Sequence, residues 1–116
     1  MIRISVIIPT HNRPAALSAC LSALNGSFPP DAETIVVSDG FTPDLTPVVA
    51  PFVQPLRLRL LQVPHGGPAA ARNHGLKAAQ GAIAVFTDDD CRPRPGWLST
   101  LAGGVSLAPP RAVGGS

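Results

Sequence analysis

Gly81-Ala82-Ile83-Ala84-Val85-Phe86-Thr87-Asp88-Asp89-Asp90 runs an apolar segment straight into three consecutive carboxylates. A short apolar run bounded by a glycine and an acidic cluster reads as a buried strand, Ala82–Phe86, whose carboxyl end opens into a polar loop. Three adjacent negative charges repel one another and gain nothing from burial, so something must offset them. A divalent cation is one answer, because Mg²⁺ and Mn²⁺ favour oxygen ligands and Mg²⁺ is usually shared between carboxylates and substrate phosphates. An exposed acidic turn is the other reading of the tripeptide taken alone.

The same pattern recurs upstream. Arg3-Ile4-Ser5-Val6-Ile7-Ile8 is a β-branched run ended by Pro9, followed by the polar turn Thr10-His11-Asn12-Arg13. Thr34-Ile35-Val36-Val37 leads into Ser38-Asp39-Gly40 in the same way. Between these two strands, Pro14 suits a first helical turn. Leu17, Cys20, Leu21 and Leu24 then fall at i, i+3, i+4 and i+7, one apolar helical face, and Asn25-Gly26 supplies the stop. Residues 43–54 carry an apolar pattern broken by Pro47 and Pro51, which predicts a broken helix.

Leu56-Arg57-Leu58-Arg59-Leu60 alternates strictly and reads as a strand nearer a sheet edge. After Gly66-Gly67-Pro68, the stretch from Ala69 to Gln80 is helical, with His74-Gly75 as an interruption. A short helix is expected from about Pro95 to Ala102, and Ala112-Val113 begins a further strand. Strands and helices alternating at this size predict an α/β fold of parallel βαβ units. Ligands of open α/β sheets bind outside the carboxyl ends of the strands. Thr10-His11-Asn12, Ser38-Asp39-Gly40 and Asp88-Asp89-Asp90 all fall at that edge.

Composition narrows the classes. With 45% hydrophobic and 14% charged residues in 116, the chain is globular, the size of one small domain. A net charge of +2 with no basic run gives no case for nucleic acid as a partner. The apolar run Ile4–Ile8 is far shorter than a signal core or membrane span, so no targeting or transmembrane segment is read in this chain. Cys20 and Cys91 lack metal-ligand spacing and are read as reduced thiols of a cytoplasmic protein.

With these segments in hand, the chain resembles the family 2 glycosyltransferases of the GT-A (nucleotide-diphospho-sugar transferase) fold. The resemblance is carried by Ser5-Val6-Ile7-Ile8-Pro9-Thr10-His11-Asn12-Arg13, Ile35-Val36-Val37-Ser38-Asp39-Gly40, Gly66-Gly67-Pro68-Ala69-Ala70-Ala71-Arg72-Asn73 and Phe86-Thr87-Asp88-Asp89-Asp90, with Pro95-Gly96-Trp97-Leu98 continuing it. It implies a Rossmann-like, mainly parallel sheet flanked by helices, and metal-dependent transfer of a sugar from a nucleotide-diphospho-sugar to an acceptor hydroxyl. The implied acceptor is a glycan, a lipid or another hydroxyl compound. The implied place of work is the cytoplasm or, in the complete protein, the cytosolic face of a membrane.

By the same resemblance, Pro9, Thr10, His11, Asn12, Asp39, Arg72, Asp88 and Asp89 belong to the nucleotide-sugar site. Pro9 and His11 would line the nucleotide pocket, and Asp39 would accept a hydrogen bond from the base, whose ring N–H a carboxylate can receive. Arg72 would face the diphosphate, which suits a guanidinium. The acidic triplet is similar to a DxD motif, with Asp88 and Asp90 as the metal acids for Mn²⁺ or Mg²⁺. Whether Asp88 or Asp89 approaches the ribose or sugar stays open at this stage.

Two features depart from the family pattern: Ser38 stands where a second acid is common, and Phe41 replaces a small polar residue. His11 and His74 are each poor candidates for a catalytic base, since a lone histidine is more often structural. The base that would activate the acceptor hydroxyl is expected beyond Ser116, so residues 1–116 read as the amino-terminal, donor-binding portion. Two alternatives come from other classes: a non-catalytic nucleotide-binding module, and a nucleotidyltransferase. Against the second, no glycine-rich phosphate loop bearing lysine or arginine follows the first strand; a dinucleotide-binding Rossmann domain is weaker still, because no GxGxxG follows a strand.

Overall fold

β-branched and apolar runs too short for helices become the strands of one parallel sheet. The computed structural model describes residues 2–26, 28–40, 44–92 and 111–114. The order is β1 (Ile4–Thr10), α1 (Pro14–Asn25), β2 (Ala32–Asp39), α2 (Thr46–Val49) running into a 3₁₀ turn (Ala50–Phe52), β3 (Leu58–Val63), α3 (Pro68–Ala78), β4 (Ile83–Phe86) and β5 (Arg111–Gly114). The strands lie in the order β3-β2-β1-β4-β5, every neighbouring pair parallel.

Alternation of side chains along β1 builds two cores. Ile4, Val6 and Ile8 face one way and pack with Leu17, Cys20, Leu21 and Leu24 of α1. Ile7 faces the other way and packs with Ile35, Val37 and Ala71, the last on α3. Each fully buried Ile or Leu contributes roughly 1.5–3 kcal/mol, so the two sides of β1 anchor the fold. The chain winds outward from β1 through β2 to β3, then crosses by α3 to the opposite side of β1. That reversal places a topological switch point between β1 and β4, where the crevice of an open α/β sheet lies.

The end of β1 and the start of β3 differ from the sequence expectation. β1 continues through Pro9 to Thr10. β4 pairs with β1 only as far as Ile7–Phe86, so the N–H that Pro9 lacks falls beyond the end of its neighbour and leaves no gap in the ladder. β3 begins at Leu58, because residues 53–57 form a turn in which Leu58 N–H donates to Val53 O at 2.9 Å and Arg57 takes a φ of 44°. β3 is nonetheless an edge strand, as alternation implied. The helix and motif expected within 95–102, and Phe41, lie outside the described residues.

His74-Gly75 does not interrupt α3, which runs unbroken from Pro68 to Ala78. Gly75 is buried, and a Cβ there would overlap Ile7 Cγ2. The glycine thus costs helix propensity but lets α3 lie close on β1. Gly75→Ala is expected to destabilise the chain by about 1–3 kcal/mol through overpacking. A denaturant melt checks this, and an unchanged midpoint would refute the close approach.

At the amino ends of the strands a buried polar clamp closes the sheet. Glu33, 3% exposed, accepts from Ser5 Oγ (2.6 Å), Gln80 N–H (2.7 Å) and Arg59 Nη2 (2.8 Å). Arg59 Nη2 also donates to Ala78 O at 2.7 Å, and Gly81 N–H donates to Ser5 Oγ at 2.9 Å. These bonds tie β1, β2 and β3 to the end of α3 and the start of β4, at the sheet edge opposite the polar loops.

Candidate functional site

The polar turns predicted from sequence meet at the carboxyl ends of β1, β2 and β4. Pro9, Thr10, His11, Asp39, Arg72, Asp88, Asp89 and Asp90 line one cleft of about 350 Å³, within the range of small-molecule sites. Asp39 and Asp90 therefore open to a shared space. Asn12 does not line it: the residue is exposed, at a φ of 56°. Asn73 and His74 are exposed on α3 and lie off the lining.

Asp39 ends β2 and is 5% exposed. Its Oδ1 accepts from Gly66 N–H at 2.8 Å and its Oδ2 from Gly67 N–H at 3.1 Å, gripping the loop that leads into α3. Gly67, with φ at 94°, adopts the left-handed backbone that only glycine takes without strain. His65 Nδ1 lies 3.0 Å from Asp39 Oδ2. His11 donates Nδ1–H to the Asp39 carbonyl at 2.6 Å, and the two imidazoles stack with centroids 4.6 Å apart.

Burial disfavours the Asp39 carboxylate, yet the N–H groups of Gly66 and Gly67, with His65 and His11 beside it, outweigh that and hold its pKa below the ordinary aspartate value. A depressed pKa means the charged form stabilises the fold. That contribution is present in full above the ordinary value and is lost as pH falls through the lower, folded-state value. The Gly66 and Gly67 amide resonances are expected to titrate together, with a midpoint below the ordinary aspartate range. A midpoint at or above that range would show that the grip is not made.

The three acids of the loop play different parts. Asp89 is 6% exposed, accepts from Thr10 Oγ1 at 2.8 Å and has Arg13 Nη1 at 3.5 Å from its Oδ1. Asp88 and Asp90 are exposed, and one ligand atom from each, with one from Cys91, lies within 4.8 Å of the others. Arg13 Nη1 is also 3.8 Å from Asp90 Oδ2, so a cation already sits against this group. Cys20 lies beneath the loop, its thiol 3.7 Å from Asp88 O. Burial, then the nearby Cys91, push its pKa up to about 12, which leaves it unreactive. Both cysteines are free.

Sequence reasoning missed His65 and Arg13 as parts of the site, along with Pro68 and Ala71, which complete the lining. For His65 the available signal was its place directly before the Gly66-Gly67 break at the end of β3. Arg13 was visible only as part of a motif, because its partners lie 76 and 77 positions away. No described helix is long and apolar enough to cross a membrane.

Comparison with known proteins places this geometry in context. A family profile described as Glycosyl transferase family 2 matches residues 5–116. The pre-mycofactocin glycosyltransferase of Mycobacterium tuberculosis is 37% identical over 118 residues, a match covering 95% of this chain and 23% of that protein. S. aureus TarS 1–349, solved in complex with UDP-GlcNAc, superposes with a TM-score of 0.80 at 30% identity, over 88% of this chain and 30% of that one. The mannosyltransferase PcManGT from Pyrobaculum calidifontis, solved with GDP-Man and Mn²⁺, gives a TM-score of 0.68 at 30% identity, over 76% of this chain and 27% of that one. The chain thus spans under a third of each of these relatives.

Proposed function

This chain belongs to glycosyl transferase family 2, has the family's α/β GT-A fold, and we propose that it supplies the donor site of a glycosyltransferase. The observation that carries the proposal is the single cleft lined by Asp39, Arg72 and the Asp88–Asp90 loop at the switch point of the sheet. The donor is a nucleotide-diphospho-sugar, in keeping with the UDP-GlcNAc and GDP-Man complexes of similar structures. The acceptor is a hydroxyl compound, and the complete protein would complete the transfer. Two free thiols suit a reducing, cytoplasmic setting.

Each residue has work that its geometry permits. Asp39 retains lone pairs beyond those used by Gly66 and Gly67, and can receive a ring N–H of the nucleobase. His11 and Pro9 shape the same end of the cleft. Arg72, half-buried in the lining, offers a planar fork to diphosphate oxygens. Thr10 holds Asp89 through its hydroxyl, which fixes the buried acid as the loop's anchor and leaves Asp88 and Asp90 facing the cleft.

A divalent cation fits the residues present: two exposed carboxylates converge, and Arg13 shows that the group accommodates a positive charge. Asp88 and Asp90 would hold Mn²⁺ or Mg²⁺. Bound there, the ion would neutralise charge on the departing nucleoside diphosphate.

The base assignment is tested by calorimetric titration with UDP. A hydrogen bond to a charged group is worth about 1.5–3 kcal/mol, so Asp39→Ala should raise the Kd roughly 10–100-fold. Unchanged affinity for UDP and for GDP would sink the assignment.

A further inference from the structure

We propose that His11, Asp39 and His65 form a transition-metal site of their own, separate from the carboxylates of the acidic loop. The three residues follow or end three adjacent strands, β1, β2 and β3, at the carboxyl edge of the sheet. One ligand atom from each lies within 4.8 Å of the other two. Two imidazoles and one carboxylate make a nitrogen-rich set that suits Zn²⁺, Co²⁺, Ni²⁺ or Cu²⁺ and suits Mg²⁺ poorly.

The surroundings already orient two of the three ligands. His11 donates Nδ1–H to the Asp39 carbonyl at 2.6 Å, which leaves Nε2 as its lone-pair nitrogen. This is the outer hydrogen bond that ligating histidines characteristically make. The carboxylate is held in place by Gly66 and Gly67 N–H and keeps further lone pairs. Tetrahedral bonds of about 2.0–2.1 Å to Zn²⁺ separate ligand atoms by roughly 3.3 Å; His65 Nδ1 and Asp39 Oδ2 are already 3.0 Å apart, and no pair in the cluster exceeds 4.8 Å. His65 is exposed, so its ring can turn about χ1 and χ2 out of the stack with His11 and aim a nitrogen at the ion while the His11 hydrogen bond stays in place.

Three protein ligands leave a fourth position open to water or a ligand atom. Because Asp39 is also assigned to the nucleobase, an ion here and a base in the pocket exclude one another. That corollary rests on the donor reading, whereas the metal site does not. It makes Zn²⁺ and Mg²⁺ act oppositely on donor binding, the first blocking the base and the second assisting the diphosphate.

The test is a Co²⁺ titration of the chain followed by visible d–d absorption, with no nucleotide present. His65 is exposed, so His65→Ala is tolerated by the fold. Tetrahedral-type bands are expected in the wild type and in Asp90→Ala. In His65→Ala the Co²⁺ affinity should fall by more than about 100-fold, the upper end of what loss of an outer partner alone costs. Equal binding by wild type and His65→Ala, or loss of the bands in Asp90→Ala, would overturn the proposal. Neither result would touch the donor assignment, since nucleotide is absent.

Discussion

Glu33→Ala is expected to cost about 3–5 kcal/mol of stability, the largest loss from any single substitution considered for this chain. The carboxylate is 3% exposed and accepts three hydrogen bonds, one of them from the fully buried Ser5 hydroxyl and one from a backbone N–H. Removing it leaves the Gln80 N–H without its acceptor and the fully buried Ser5 hydroxyl with one bond fewer, at roughly 1–3 kcal/mol for each orphaned group. Arg59, 40% exposed at its side chain, can relax toward solvent, which keeps the total from rising further. Glu33→Gln preserves the shape and two acceptor sites, so it should lose less than half as much. Denaturant midpoints of the two variants decide the matter. A Glu33→Ala melt within about 0.5 kcal/mol of wild type, the scale of an ordinary surface change, would show that the clamp does not hold the sheet.

That clamp was invisible in the sequence. Its members lie at positions 5, 33, 59 and 78–81, and no local periodicity links them. What could be read locally was the hydrophobic grammar. Leu17, Cys20, Leu21 and Leu24 are each at most 4% exposed, as their helical spacing implies. The runs in β1, β2 and β4 are buried on both faces, as parallel strands require.

The errors arose where tertiary structure overrode local preference. Strict alternation at Leu56–Leu60 suggested a strand from its first leucine, but Arg57 turns into the left-handed region and delays β3 by two residues. Gly75 looked like a helix breaker, and the structure gives the opposite reason for it, a close packing of α3 on Ile7. At the site, the three acids were legible as a group but not as individuals. Only the fold shows that Thr10 claims Asp89 and leaves Asp88 and Asp90 exposed. His65 came into the site from a strand end that sequence had misplaced, which is why it went unnoticed.

The second large effect concerns Asp90. Its carboxylate stands 3.8 Å from Arg13 and converges with Asp88, so the loop keeps a cationic neighbour even with no ion bound. A nucleoside diphosphate brings phosphate oxygens that a divalent cation can bridge to these acids. Losing even an outer partner of a metal ligand lowers affinity about 10–100-fold, and losing a direct carboxylate ligand should cost at least as much. Asp90→Ala also frees Arg13 from one of its two acids, and the guanidinium can then turn to phosphate. Nucleotide affinity in EDTA should therefore stay level or rise in the variant, while the affinity measured with Mn²⁺ falls.

Calorimetric titration of UDP into wild type and Asp90→Ala, each with Mn²⁺ and with EDTA, tests the donor-site account most directly. The account predicts that Mn²⁺ tightens UDP binding to the wild type by about tenfold or more, and that Asp90→Ala removes most of that gain. Equal UDP affinity with Mn²⁺ and with EDTA in the wild type would contradict it and leave the acidic triplet as a solvated turn.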